Sequence, residues 1–300
     1  MRQLELPNMP PPNTPPEQVV NVASVRQRSP FRYPGGKTWL VPRIHQWLAS
    51  LPEGRRREFI EPFAGGAIVG LSVAFERWAE QVTLVELDEQ VAAVWEVIIN
   101  RGEGEQLAQR ISAFDLTPEN VERLLAENAP PLLERAFQTI VKNRVNRGGI
   151  LAAGAGRLKH GENGRGLASR WYPRTLQKRI RDICAIRERL AFIHGDGLET
   201  IRQNLHRGDA VFFIDPPYTA AAKKPGRRLY TCSDIDHEAL FGLVARLAGD
   251  FLMTYDNGEE IRGLARQYNL DMQPVAMKNT HHARQTELLI GRDLTWLRHN

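Results

Sequence analysis

Apolar residues in this chain come in two rhythms. Short continuous runs, REFI (57–60), QVTLVE (81–86), LAFIH (190–194), AVFFI (210–214) and DFLMTY (250–255), have the length and the branched or aromatic character of buried strands. Between them lie stretches with apolar residues at helical spacing: TWLVPRIHQWLASL, AIVGLSVAFERW, EQVAAVWEVI, DHEALFGLVARLA and EEIRGLARQY. Strands alternating with helices predict βαβ units and a parallel sheet. The last two apolar runs, MQPVAMKN and TELLIGRDL, predict a closing β-hairpin. The expected class is therefore α/β, a mostly parallel sheet with an antiparallel terminal strand.

The pattern breaks twice. Residues 1–30 hold seven prolines and little apolar periodicity. They predict a disordered Pro-rich tail, either a plain extension or a docking peptide. Residues 101–190 lose the strand rhythm. Helical stretches at 119–128 and 132–144 flank a glycine-rich, basic segment, NRVNRGGILAAGAGRLKHGENGRGLASRWYP. This predicts an insertion, 101–190, into one α/β domain built from 31–100 and 191–300.

Charge sharpens that division. The 300 residues are 42% hydrophobic and 25% charged, with a net charge of only +5. Residues 142–189 alone carry thirteen basic and three acidic side chains, a local +10, so the remainder is net acidic. Concentration in one glycine-rich segment predicts a phosphate-contacting surface, with a solvated basic face as the plainer alternative. The candidates are Lys142, Asn143, Arg144, Arg147, Arg157, Lys159 and Arg170, with Lys223, Lys224, Arg227 and Arg228 in a second basic run. Trp171 and Tyr172 suit either a core or a wedge into a duplex. The two cysteines, Cys184 and Cys232, form no CxxC and predict neither a disulfide framework nor a zinc site. With no signal peptide and no apolar run of membrane length, a cytoplasmic location is expected.

The chemistry gathers at strand ends. EPFAGG (61–66) puts two glycines between a strand and a helix, where backbone can approach a nucleotide-like ligand or simply turn. Glu86 ends the next strand; an acid there can accept from ribose hydroxyls or serve the first turn of a helix. Asp196 in HGDG can accept from an adenine amino group or cap the helix that follows. FRYPGGK (31–37) opens the first helix, with Lys37 able to meet a carboxylate or a phosphate; its spacing is not that of a Walker loop.

The run VFFI then ends in Asp215, Pro216, Pro217 and Tyr218. An Asp-Pro turn would explain the prolines. Methylation of a base amino group would explain all four residues. The amino lone pair is delocalised into the ring, and a carboxylate and a fixed backbone carbonyl can accept its two hydrogens and hold the nitrogen for attack. Asp215 offers the carboxylate, Pro216 the carbonyl, the adjoining Pro217 rigidity, and Tyr218 a stacking face for a flipped base.

In this order, FRYPGGK, EPFAGG, Glu86, Asp196 and DPPY resemble the Dam-like (α-type) DNA adenine-N6 methyltransferases over most of residues 31–293. The resemblance implies a Rossmann-like methyltransferase fold with a helical target-recognition insertion. It implies S-adenosyl-L-methionine as cofactor, with Glu61 and Phe63 at the methionine- and adenine-facing positions and Gly65 in the loop. Glu86 would take the ribose and Asp196 the cofactor adenine, with Tyr33 and Lys37 covering the ligand and Asp215 beside it. TYDN and TELLIG also resemble family segments; Ile68 departs from a frequent Ser.

The expected function is site-specific transfer of a methyl group to adenine N6 in duplex DNA, by in-line displacement on a flipped base. Alternatives are cytosine-N4 or RNA methylation, or a silent DNA-binding regulator of the same fold. Methylation at cytosine C5 is disfavoured, because neither cysteine follows a proline in a strand-end loop. The resemblance further implies double-stranded DNA as partner; a nucleoid-associated monomer or weak dimer is expected, and whether a cognate restriction enzyme is a further partner is left open by the sequence.

Overall fold

The computed structural model describes residues 18–32, 35–52, 54–161, 164–217, 235–278 and 284–298. Among them, seven strands form one sheet in the order β3-β2-β1-β4-β5-β7-β6. The strands are β1 (Glu58–Glu61), β2 (Gln81–Glu86), β3 (Leu190–His194), β4 (Ala210–Ile214), β5 (Asp250–Asp256), β6 (Asp271–Lys278) and β7 (Arg284–Gly291). All neighbours from β3 through β5 pair in parallel. β7 runs antiparallel between β5 and β6. The sheet is therefore mostly parallel with an antiparallel terminal hairpin, the Rossmann-like α/β arrangement expected from the sequence.

Each parallel strand feeds a helix with its own start signal. β1 leads to α2 (Ile68–Glu76), apolar on nearly every face and buried from Ile68 to Ala74. β2 leads to α3 (Glu89–Trp95), whose Asp88 cap accepts from the Gln90 N–H at 2.8 Å. β3 leads to α8 (Gly197–Gln203) and β4, across 218–234, to α9 (His237–Val244), capped by Asp196 and Asp236. These caps satisfy amide groups that the first helical turn leaves open. Every residue of β4 is buried, as expected for a central strand covered on both faces. The ligand-facing edge of such a sheet is its carboxyl end, on either side of the point where strand order reverses. Here that point lies between β1 and β4.

α1 (Val41–Ser50) packs on one sheet face, together with α4 (Gly104–Ala113), α5 (Pro118–Ala126), α6 (Leu132–Val145) and α7 (Pro173–Cys184), all between α3 and β3 in sequence. Their apolar residues, among them Leu107, Val121, Phe137, Ile140 and Ile180, belong to the same core as Val82 and Leu84 of β2. The helical part of 101–190 thus shares its core with the sheet. A second core, on the opposite face, joins Phe212, Ile214, Phe241, Tyr255 and Leu288. α10 (Glu259–Gln267) and α11 (Thr295–Arg298) complete the α-helices of the described residues.

The amino-terminal expectation changes. Of the segment read as a disordered tail, residues 18–30 run packed over the fold, with Val20, Ser29 and Pro30 buried. Polar anchors hold them in place of an apolar face. Arg43 donates to the Gln18 carbonyl at 2.6 Å, Arg28 pairs with Glu76 at 2.9 Å, and Arg179 donates to the Ser29 carbonyl at 2.9 Å.

Candidate active site

A cleft of about 1590 Å³ opens at the carboxyl ends of β1, β2, β3 and β4, lined by the EPFAGG loop, Glu86 to Asp88, Asp196 to Leu198 and Asp215 to Pro217. Its volume exceeds the roughly 300–1,000 Å³ of an ordinary small-molecule site, which leaves room for more than a nucleoside-sized ligand.

Glu86 organises the first half. One carboxylate oxygen accepts from the Gly65 N–H at 2.8 Å; the other accepts from Leu87 and Asp88 at 2.9 and 2.8 Å. Burial nevertheless pushes its carboxyl up to about 7, overriding the three hydrogen bonds that favour the charge. Trp95 closes the loop from behind, donating its indole N–H to the Gly65 carbonyl at 2.9 Å. Gly65 has φ 46 and Ala67 φ 50, left-handed values that set a tight turn into α2.

Glu61 is buried and accepts from the Gly70 N–H at 2.8 Å. Its carboxyl is held well above the usual range, first by burial and then by Asp215 and Glu86. A Cβ on Gly70 would come within 2.5 Å of Glu61 Oε2, so glycine is what admits the carboxylate there. Phe63 lies against Gly197, where an added Cβ would meet its ring at 2.7 Å. Asp196 caps α8, accepting from Leu198 and Glu199 at 2.6 and 3.2 Å, and stays exposed. Leu87 is a large apolar side chain left 47% exposed on the cleft wall.

Asp215 stands where β4 ends. Its Oδ1 accepts from the Thr254 hydroxyl at 2.7 Å and pairs with Lys37 Nζ at 2.9 Å. Lys37 is buried, donates also to the Gly35 carbonyl at 3.0 Å, and lies 3.7 Å from Glu287. Of the two groups expected for Lys37, it therefore meets carboxylates. Glu287, on β7, is pushed up to about 7, first by burial and against the pull of Lys37. Asp256, at the end of β5, is raised too, by burial and by Asp215. Neither Thr254, Asp256 nor Glu287 stood among the sequence candidates, although TYDN and TELLIG had been noted as family-like; the signal lay in those segments. Pro216 is buried and Pro217 half-buried beside Asp215. Tyr33, Tyr218, Lys223, Lys224, Arg227 and Arg228 lie outside the described residues.

The basic candidates divide. Arg147 and Lys159 are exposed, and Arg157 lies 3.9 Å from Glu122. Lys142 is half-buried and donates to Gln90 at 2.6 Å. Asn143, expected at DNA, faces inward instead. It is fully buried, accepts from the Arg32 N–H at 2.9 Å, and donates to the Arg32 and Gly149 carbonyls at 3.0 and 2.7 Å. All its amide atoms are spent on backbone, which removes it from the contacting surface. Arg144 is 5% exposed and reaches the Pro30 carbonyl. Arg170 is half-buried in the cleft wall.

The segment that holds PGGK, EPFAGG and Glu86 is the one that known proteins identify. Residues 33–129 match the D12 class N6 adenine-specific DNA methyltransferase family. The match covers about a third of the chain and agrees there with the resemblance carried by PGGK, EPFAGG and Glu86; the name of that family is that of a methyltransferase. No curated protein matches the chain. Among solved structures, yhhF of Escherichia coli matches at 13% identity and TM-score 0.35, covering 91% of each chain. PH1948 of Pyrococcus horikoshii matches at 10% identity and TM-score 0.40, covering 91% of this chain and 95% of that one. The rRNA methyltransferase aviRa of Streptomyces viridochromogenes matches at 12% identity and TM-score 0.37, covering 86% and 85%. Among the described residues, no helix is long and apolar enough to cross a membrane.

Proposed function

We propose that this protein transfers a methyl group from S-adenosylmethionine to the N6 amino group of adenine in duplex DNA, on a base turned out of the helix. One observation carries the reading: Asp215, held by Lys37 and Thr254, opens onto the same cleft as Glu61, Gly65 and Glu86. The residues fit a nucleoside cofactor. Glu86 is a buried carboxylate at the end of β2, in reach of ribose hydroxyls. Phe63, Leu87 and Leu198 offer apolar wall to a purine, and exposed Asp196 stands by to accept from its amino group. When bound, the cofactor supplies an electrophilic methyl on a sulfonium.

The protein's part is positioning. Asp215 and the Pro216 carbonyl accept the two amino hydrogens, so that the nitrogen lone pair is drawn out of conjugation with the ring and localised for attack. Held by Glu61, Glu86 and Asp196, the cofactor would supply its methyl from sulfur to that nitrogen and leave as the neutral thioether. The extra proton on nitrogen is then lost along the Asp215 hydrogen bond. Lys37 and Thr254, both on Oδ1, fix the orientation of the Asp215 carboxylate towards the substrate. Tyr218 stacks on the turned-out base.

The test incubates the protein with labelled cofactor and unmethylated duplex DNA, then digests to nucleosides and identifies the product. Label in N6-methyl-2′-deoxyadenosine that disappears in Asp215→Ala while cofactor binding persists is the expected result. Label at the wild-type level in that variant would sink the mechanism; label only on cytosine or on RNA would sink the substrate.

A further inference from the structure

The cleft carries charges of both signs. Its lining includes Glu61, Glu86, Asp215 and Glu287, with Lys37 paired to the last two, and also Arg32, Arg144, Arg170 and Arg179, of which Arg144 feels the other three. The charges acting on the acids and on Arg144 hardly mix. Glu61 and Glu86 are influenced by other carboxylates, and Glu287 by Lys37, Asp215 and Asp256. Arg144 is influenced by Arg179, Arg32 and Arg170, all of its own sign.

Backbone carbonyls hold the positive wall in place. Pro30 accepts from Arg144, and its neighbour Ser29 accepts from Arg179 at 2.9 Å. The first of these guanidiniums is 95% buried by residue, yet its Nε makes no hydrogen bond. Burial and three neighbouring cations pull it down to about 9. Gathering like charges at a buried donor is unfavourable unless an anion compensates them. Guanidinium groups present paired donors that match the oxygens of a phosphate.

We propose that Arg32, Arg144, Arg170 and Arg179 form an anion site for backbone phosphates of duplex DNA beside the target nucleotide. The site rests on the methyltransferase reading of the cleft, because its place follows from the target base entering beside Asp215. Phosphate binding gives Arg144 Nε an acceptor and neutralises the repulsion. It also couples DNA to residues 18–30, since two of the four guanidiniums are fastened to that segment. The segment then orders the DNA side of the site as much as it closes the cofactor side, where Val19, Val20 and Asn21 line the same cleft.

The test compares Arg170→Ala and Arg179→Ala with Arg174→Ala, which removes the same charge from an exposed position outside the cleft lining. Affinity for a duplex oligonucleotide is measured across a salt series, and pyrophosphate binding by calorimetry serves as a probe that needs no DNA. Each cleft variant is expected to lower the salt slope by about one and weaken duplex binding about tenfold, while Arg174→Ala does neither. In Arg170→Ala the unfolding midpoint should stay at the wild-type value, whereas Arg179→Ala also loses its hydrogen bond to the Ser29 carbonyl and is read only at temperatures where it is folded. If Arg179→Ala fails to fold, Arg170→Ala carries the comparison.

Unchanged slope and unchanged pyrophosphate binding in folded cleft variants would overturn the site, as would an equal loss in Arg174→Ala. DNA methylation with an unaltered slope would remove the site and leave the enzymatic reading standing. Arginine-dependent pyrophosphate binding without arginine-dependent duplex binding would keep an anion site and remove duplex DNA as its ligand.

Discussion

Glu287→Gln should make the protein more stable in alkaline buffer and barely alter it in acid. Glu287 sits on β7, with its side chain 11% exposed and 3.7 Å from Lys37. Its carboxyl is displaced from 4.5 up to about 7, with burial the first cause and Asp215 and Asp256 adding to it. The folded state therefore binds this proton more tightly than the unfolded chain. Its contribution to stability is fully present below pH 4.5, is lost as pH rises toward 7, and stays lost above that. Each pH unit of displacement corresponds to about 1.4 kcal/mol, so an ionised Glu287 costs the fold on the order of 3 kcal/mol above pH 7. Glutamine keeps the shape and carries no charge. Lys37 retains Asp215 at 2.9 Å.

The expected gain at pH 8 is roughly 2–3 kcal/mol, or about 5–10 °C in melting temperature, narrowing to under about 1 kcal/mol at pH 5. Thermal and urea unfolding of both proteins at intervals from pH 5 to pH 9 measure it. A variant less stable than wild type at pH 8, or a difference that does not change with pH, would refute the reasoning.

Further outcomes follow from the same geometry. Lys37→Met leaves Asp215, Glu287 and Asp256 without their shared cation; a buried pair broken in this way costs about 3–5 kcal/mol, and urea unfolding at pH 8 should show it, with partial recovery in the double variant with Glu287→Gln. Gly70→Ala drives a methyl to within 2.5 Å of Glu61 Oε2 and 2.6 Å of Leu84, so cofactor affinity measured by calorimetry should fall along with stability. Glu86→Gln turns an acceptor for three backbone N–H groups into a group with only one acceptor atom; a loss of about 1–3 kcal/mol in stability and weaker cofactor binding are expected, and an unchanged affinity would remove Glu86 from the site. Trp95→Phe frees the Gly65 carbonyl and should cost about 1 kcal/mol or more, read as a lower unfolding midpoint.

Much of the framework was readable in the linear chain. Five apolar runs became five parallel strands, and MQPVAMKN and TELLIGRDL became the antiparallel hairpin. The reason is that buried strands must be apolar along their whole length, which leaves a mark within a few residues. Acids at strand ends were visible for the same reason, since a charge stops such a run. The inward face of α6 was not visible. Asn143 and Arg144 look like surface residues in sequence, because what satisfies them, the carbonyls of Arg32, Gly149 and Pro30, comes mostly from more than 100 residues away. Residues 18–30 misled in the opposite direction: they pack through carbonyls that accept from arginines, and carbonyls are identical at every position.

Sequence alone determined the alternation of strands and helices, the order of the glycine loop and the acids, and the basic excess in 142–189, because each depends on residue type and local spacing. Tertiary structure decided which charges meet. Lys37 finds Asp215 and Glu287 across separations of 178 and 250 positions only because the strand order sets β7 beside β5 and β5 beside β4. Burial there, which no local pattern encodes, is what raises Glu287 and makes a lysine its necessary neighbour.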